Sequence, residues 1–181
     1  VLDNLLIKEV IAGLKAGLTA SGLSTVAVKQ SYQPTNQGAN SGPSIYLYKI
    51  GDKRYGFLKR KSEWIQTPSP GFMQHTESQW YETTFQISAL SIQNPADITQ
   101  KTASDICNIA AAILQGDSCR EFLQSKGIGM LRVTEVRNPY FVDDKDRFEA
   151  SPSFDFTLTH EQVIISTDPV VETYEFNVDR V

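Results

Sequence analysis

The sequence predicts an α+β fold: a mostly antiparallel β-sheet with two main helices packed on one face, long loops or a hairpin, and a C-terminal strand or arm. Three observations carry that expectation. Apolar residues recur at helical spacing in two separate stretches, near the N-terminus and in the middle of the chain. Phe154, Phe156 and Leu158 alternate with Asp155, Thr157 and Thr159, the pattern of a strand with one covered side and one wet side. Between the two helical stretches lie β-branched and aromatic runs separated by turn residues.

The elements follow in order. From Asp3 to about Ala20, Ile7, Ile11, Leu14 and Leu18 mark one face of an amphipathic helix, which Gly22 ends. Thr25 to Tyr32 has a strand pattern. Residues 33–43 (QPTNQGANSGP) are turn-rich and predict a loop. Ser44 to Ile50 and Arg54 to Lys61 flank Gly51-Asp52-Lys53, which predicts a hairpin, and Thr67 to Gly71 breaks the chain again. Gln74 to Ser91 is a long strand pattern with Tyr81, Thr83, Phe85, Ile87 and Ala89 on one face. Asn94-Pro95-Ala96-Asp97 carries helix-start signals, with Ile98, Thr102, Ile106, Ile109 and Ile113 as the apolar face and Gly116 as the stop. A short helix from Cys119 to Lys126 and a strand from Met130 to Arg137 come next. Val170 to Val178 alternates as an edge strand or arm would. No internal repeat is visible, and one domain over residues 1–181 is expected, with 33–43 and 51–73 as loop or hairpin insertions and 168–181 as the C-terminal strand or arm.

Composition narrows the classes. Apolar residues make up 40 % and charged residues 21 %, ordinary for a globular domain. The formal net charge of −4 disfavours wholesale wrapping of nucleic acid. No run is apolar enough to cross a membrane, and the first twenty residues lack a signal-peptide core. The two cysteines, Cys107 and Cys119, are too few for a disulfide scaffold. Cys107 has the setting of a buried thiol, and a reducing compartment is expected.

Few residues stand in a pattern that carries chemistry. Gly116-Asp117-Ser118-Cys119 superficially resembles a serine hydrolase block, but Ser118 and Glu121 have capping-box spacing, which accounts for both. Asp143, Asp144, Asp146 and Glu149 are hard oxygen donors lacking the glycine and spacing of a calcium loop; a solvated loop is the simpler expectation. His75 and His160 stand alone, as surface or partly buried side chains. No phosphate loop, zinc spacing or dinucleotide fingerprint occurs. No catalytic residue, cofactor or metal is expected.

Charge is the informative feature. Six of the 17 lysines and arginines fall within thirteen residues: Lys49, Lys53, Arg54, Lys59, Arg60 and Lys61, interleaved with Tyr46, Tyr48, Tyr55 and Phe57 and followed by Trp64. From Asp143 onward, ten acidic residues stand against Lys145, Arg147 and Arg180. If the partner of the basic segment is nucleic acid, its cations meet phosphates and binding weakens with salt. If it is protein, the aromatics give contact area and the charges steer association. Opposite patches on one chain suit a head-to-tail contact, and such contacts close into rings.

The order of elements, with Asn138 to Tyr140, Asp146 to Glu149, Pro152 to Thr159 and Tyr174 to Phe176, resembles the small neck proteins of tailed bacteriophages. It is similar in particular to tail-terminator or gateway proteins, which cap the tail tube and join it to the head. The resemblance implies a non-enzymatic virion subunit made in the host cytoplasm. It also implies a ring, usually of six copies, contacting tail-tube and connector or collar proteins around a channel for the genome. Nothing in it involves a membrane. Two arrangements fit. Asp143, Asp144, Asp146 and Glu149 line the channel while the basic segment grips a neighbour, or the basic segment faces DNA. The alternative function is a small nucleic-acid-binding module built on the basic-aromatic segment 46–64.

Overall fold

The computed structural model describes residues 3–30, 42–67, 71–92, 96–142, 148–150 and 152–169. Helix α1 (Asp3–Ala20) buries Leu6, Ile7, Val10, Leu14 and Leu18, one stripe at three- and four-residue spacing. It ends in a Schellman motif: Leu23 N donates to Leu18 O and Gly22 N to Thr19 O, with Gly22 at φ +74. Near its end, a Cβ on Gly17 would lie 2.3 Å from Ile113 Cγ2, so the missing side chain lets α1 approach the next helix closely.

That helix, α2 (Ala103–Gln115), starts at a capping box. Thr102 Oγ1 accepts from Asp105 N, and the Asp105 carboxylate accepts from Thr102 N. Those bonds hold the Asp105 carboxyl below its ordinary range. Helix α3 (Asp117–Gln124) follows directly after Gly116.

Four main strands and one short one make a five-stranded sheet: β1 (Ala27–Gln30), β2 (Ser44–Ile65), β3 (Phe72–Leu90), β4 (Ile128–Val133) and β7 (Ser153–Pro169), ordered β1-β2-β3-β7-β4. Among the described residues only the β1–β2 pair is parallel. A separate pair, β5 (Tyr140–Val142) and β6 (Phe148–Ala150), is antiparallel. The helices cover one face of the sheet, over Ile45, Leu47, Phe85, Ile87, Phe154, Phe156 and Leu158, all with no exposed surface. Phe85 and Phe156, opposite each other on β3 and β7, stack at 5.4 Å. The other face is polar, with Thr84 beside Thr157 and Gln86 donating to Asp155. This is the α+β architecture expected from the one-faced alternation of 154–159.

Several expectations require correction. Gly51-Asp52-Lys53 is not a turn: β2 runs straight through it, and the hairpin with β3 turns between Ile65 and Phe72 instead. The turn-like composition marks a β-bulge, where Lys49 pairs with Phe85 and Gly51 with Thr84, leaving Ile50 as one extra residue. Helix α2 begins at Ala103 rather than near Asn94. Among the residues before it, Asp97 accepts from Thr99 N in a local turn, and Ile98 is 96 % exposed. Ser118 and Glu121 form no capping box; α3 has no side-chain cap. His160 is buried, deeper than the surface or partly buried position expected for it. The loop of residues 33–41 and the tail from Val170 lie outside the described residues.

Candidate assembly arm

Beyond Thr83 and His160 the helices no longer cover the sheet, and three strands continue alone. Residues 54–65 of β2, 72–80 of β3 and 161–169 of β7 form an antiparallel ribbon with β3 in the middle. Nine residues of strand give it a length of about 30 Å. Every cation and aromatic of the basic-aromatic segment lies on β2, and all but Tyr46, Tyr48, Lys49 and Lys53 lie on this arm.

A polar network anchors the root. Lys49 Nζ contacts Asp3 Oδ2 at 2.7 Å and Asp52 Oδ2 at 2.6 Å, tying α1 to β2. Asp52 Oδ1 accepts from Thr83 Oγ1 at 2.7 Å, and Thr83 Oγ1 lies 2.9 Å from His160 Nε2. The His160 ring stacks on Tyr81 at 5.8 Å, and its Nδ1 has no hydrogen-bond partner among the described residues. Burial acts against the Asp52 carboxylate, but hydrogen bonds from Lys49 and Thr83 outweigh it and hold the carboxyl below its ordinary range. Burial likewise opposes the Lys49 charge, yet its bonds to Asp3 and Asp52 raise its pKa. Burial lowers the pKa of His160. Lys49 therefore belongs to the scaffold.

Farther out, the cations meet carboxylates. Lys53 Nζ lies 3.8 Å from Glu82, Arg60 Nε lies 2.9 Å from Glu77, and Lys61 pairs with Glu63. Among the described residues Arg54 and Lys59 have no ion-pair partner. His75 Nδ1 lies 2.8 Å from Ser62 Oγ, and its Nε2 lies 3.2 Å from Asp168 Oδ2, bridging all three strands. The arm as a whole carries Arg54, Lys59, Arg60 and Lys61 against Glu63, Glu77, Glu161 and Asp168. Its positive density is concentrated on one strand and balanced by the other two.

A second bulge shapes its middle. Tyr55 pairs with Trp80 and Lys59 with Ser78, so Gly56, Phe57 and Leu58 stand opposite Gln79 alone. Gly56 takes φ +71, a conformation that favours glycine, and Gln79 Nε2 donates to Tyr55 O and Gly56 O. The extruded loop pushes Phe57 into solvent, 95 % exposed, beside an apolar groove of about 460 Å³ lined by Tyr55, Phe57, Trp80 and Tyr81. Trp64, on the same strand, is half exposed near the far end.

The sequence left the third strand of the arm unremarked. Val163, Ile164 and Ile165 on β7 are all largely exposed. Three consecutive β-branched apolar residues, breaking the alternation that precedes them, were the available signal. Asp143, Asp144 and Asp146 lie outside the described residues; Glu149 lies on β6 opposite Phe141. Among the described residues no cluster of His, Cys, Asp and Glu is arranged to hold a metal ion, and no helix is long and apolar enough to cross a membrane.

The family model of the E217 gateway protein gp29 matches residues 5–170. The chain belongs to that gateway-protein family. The match spans all but the first two residues of α1, the central helices and the whole arm, so the neck-protein resemblance of the sequence resolves to a gateway protein. No curated protein sequence matches the chain. Among solved structures, the chain is similar to a cryo-EM structure of an extracellular contractile injection system, the PVC sheath/tube terminator in its extended state. The two are 11 % identical with a TM-score of 0.43, over 96 % of this chain and 63 % of the other. The gateway chain thus spans less than two thirds of that terminator's length.

Proposed function

We propose that this gateway-family chain is a structural virion subunit that closes into a ring of six at the phage neck. The ring ends the tail tube, joins it to the head through connector or collar proteins, and leaves a channel through which the genome passes without sequence recognition. The observation that carries this reading is the family match over residues 5–170. The arm supports a contact role for the basic segment: Lys59, Phe57, Tyr55 and Trp64 are exposed along a strand that no helix covers. A contact with protein fits better than a DNA clamp, because Lys53, Arg60 and Lys61 are already paired with Glu82, Glu77 and Glu63. Phosphates would have to displace those carboxylates before neutralisation could contribute to affinity. The acidic residues Asp143, Asp144, Asp146 and Glu149 then suit a channel wall along which DNA slides.

The test is the native mass of the purified protein across protein and salt concentrations. A discrete closed oligomer of six subunits is expected. A protein that stays monomeric at every concentration, while binding duplex DNA with steep salt dependence, would overturn the reading in favour of the nucleic-acid module.

A further inference from the structure

Both long edges of the arm are open among the described residues. On one side, β1 pairs only with Ser44–Leu47, so β2 has no outer neighbour from Ile50 to Ile65. On the other side, the β4 pairing of β7 ends at His160, and among the described residues no strand pairs with the outer edge of Gln162–Pro169. Open edges are usually guarded by charge, bulges or proline. The β2 edge is guarded in that way, by four cations and the bulge at Gly56–Leu58. The β7 edge carries such guards only toward its ends, at Glu161, Asp168 and Pro169; its centre is Val163, Ile164 and Ile165, exposed by 48 %, 57 % and 59 %.

The two edges are also opposite in charge. Residues 54–65 hold four cations and one carboxylate, whereas 161–169 hold two carboxylates and no lysine or arginine. The arm is neutral overall but polarised across its width.

We propose that the β7 edge of one copy pairs, strand to strand, with the β2 edge of the next copy, so that the arms join into one continuous sheet. This rests on the ring reading above and names the contact that closes the ring. The occupant is a second copy because the complementary edge, basic and of matching length, is present on the same arm. Lys59 and Lys61 share a side of the arm with Val163 and Ile165, since both sets pair through Ser78 and Thr76 of β3. Across the contact the lysine stems therefore lie along the neighbour's branched side chains. Within one subunit β2 and β7 run in the same direction, each antiparallel to β3. In a ring with its arms along the axis the joined edges are parallel. Closure leaves no edge unpaired, which is the complete solution to the edge problem.

A charge exchange tests this. In Val163→Lys with Ile165→Lys, the altered β7 edge meets a basic β2 edge. In Lys59→Glu with Lys61→Glu, an acidic β2 edge meets the native acidic β7 edge. All four positions are exposed, and each variant is expected to keep the wild-type circular dichroism while self-association weakens at least tenfold. Mixing the two, or combining all four changes in one chain, is expected to restore assembly. Amide hydrogen exchange of the wild type gives an independent readout, with protection of 161–169 rising as the oligomer forms. If the variants assemble as the wild type does, or if the mixture gives no rescue, the edge pairing is wrong while the ring reading stands. A wild type that stays monomeric at every concentration while binding duplex DNA with steep salt dependence overturns both.

Discussion

Thr83 accepts a hydrogen bond from Nε2 of the buried His160 across 2.9 Å. The Thr83 hydroxyl proton is committed to Asp52, so the histidine must carry its proton on Nε2. Its Nδ1 is then bare, buried and without a partner, and protonating it would create a buried N–H with no acceptor.

Stability is therefore expected to fall in mild acid. Burial lowers the folded-state pKa of His160 from 6.5, so below that pH the unfolded chain binds a proton that the folded chain resists. The stabilisation is complete above about 6.5 and declines as pH falls toward the folded value. Asp52, whose pKa is also lowered, loses its contribution only below the ordinary carboxylate range. Urea unfolding at pH 7.5 and 5.5 should give a lower midpoint at the acid pH, and His160→Phe should reduce the difference. An unchanged midpoint in the wild type would exclude a buried neutral His160.

Lys59→Glu with Arg60→Glu is expected to abolish assembly and leave the fold intact. Both residues project from the uncovered arm, so the stability change should stay within about 1 kcal/mol, mainly from the Arg60–Glu77 pair. Native mass and thermal unfolding read the two effects separately. Unfolding or aggregation of the variant would mean that this strand is core.

The two cap positions should behave differently. Thr102→Ala removes a side chain that accepts from Asp105 N, at a cost of about 1 kcal/mol. Ser118→Ala removes no cap bond and should cost far less. Equal losses by chemical denaturation would contradict the observed helix starts.

Neither cysteine should react readily in the native protein. Burial pushes the Cys107 thiol up to about 12 and raises that of Cys119 as well, so little thiolate exists near neutral pH. A thiol reagent at pH 8 is expected to titrate both only after denaturant is added. Rapid native labelling would place at least one of them outside the core.

The layered core was legible because its signals are local and periodic: α1 keeps the predicted bounds, and Phe154, Phe156 and Leu158 are buried as their alternation implied. Two other signals misled because composition does not distinguish their outcomes. Gly51-Asp52 suits a tight turn and a bulge equally, and only the pairing of β2 with the distant β3 selects the bulge. Asn94-Pro95-Ala96-Asp97 resembles a helix start, but the box at Thr102 and Asp105 captures the start instead. For the arm, the basic strand was visible as a charge run. Its balancing partners were not, because Glu77 and Glu82 lie on β3, and the apolar third strand is about 100 residues away along the chain.

The two irregularities of β2 differ in parity. Ile50 inserts an odd residue, so the inward-facing positions change from Ile45, Leu47 and Lys49 to Asp52 and its even-numbered successors. Gly56–Leu58 set three residues against one, an even surplus that lengthens the strand without exchanging its sides again. Deleting Ile50 alone would leave Lys49 opposite Phe85, Gly51 opposite Thr84 and Asp52 opposite Thr83 in an unbroken ladder, so Lys59, Arg60 and Lys61 would keep their sides. The sides of the arm are thus set by the pairing of β2 with β3 and not by a count along β2, and the bulge is the place where an odd residue can be gained or lost without inverting them.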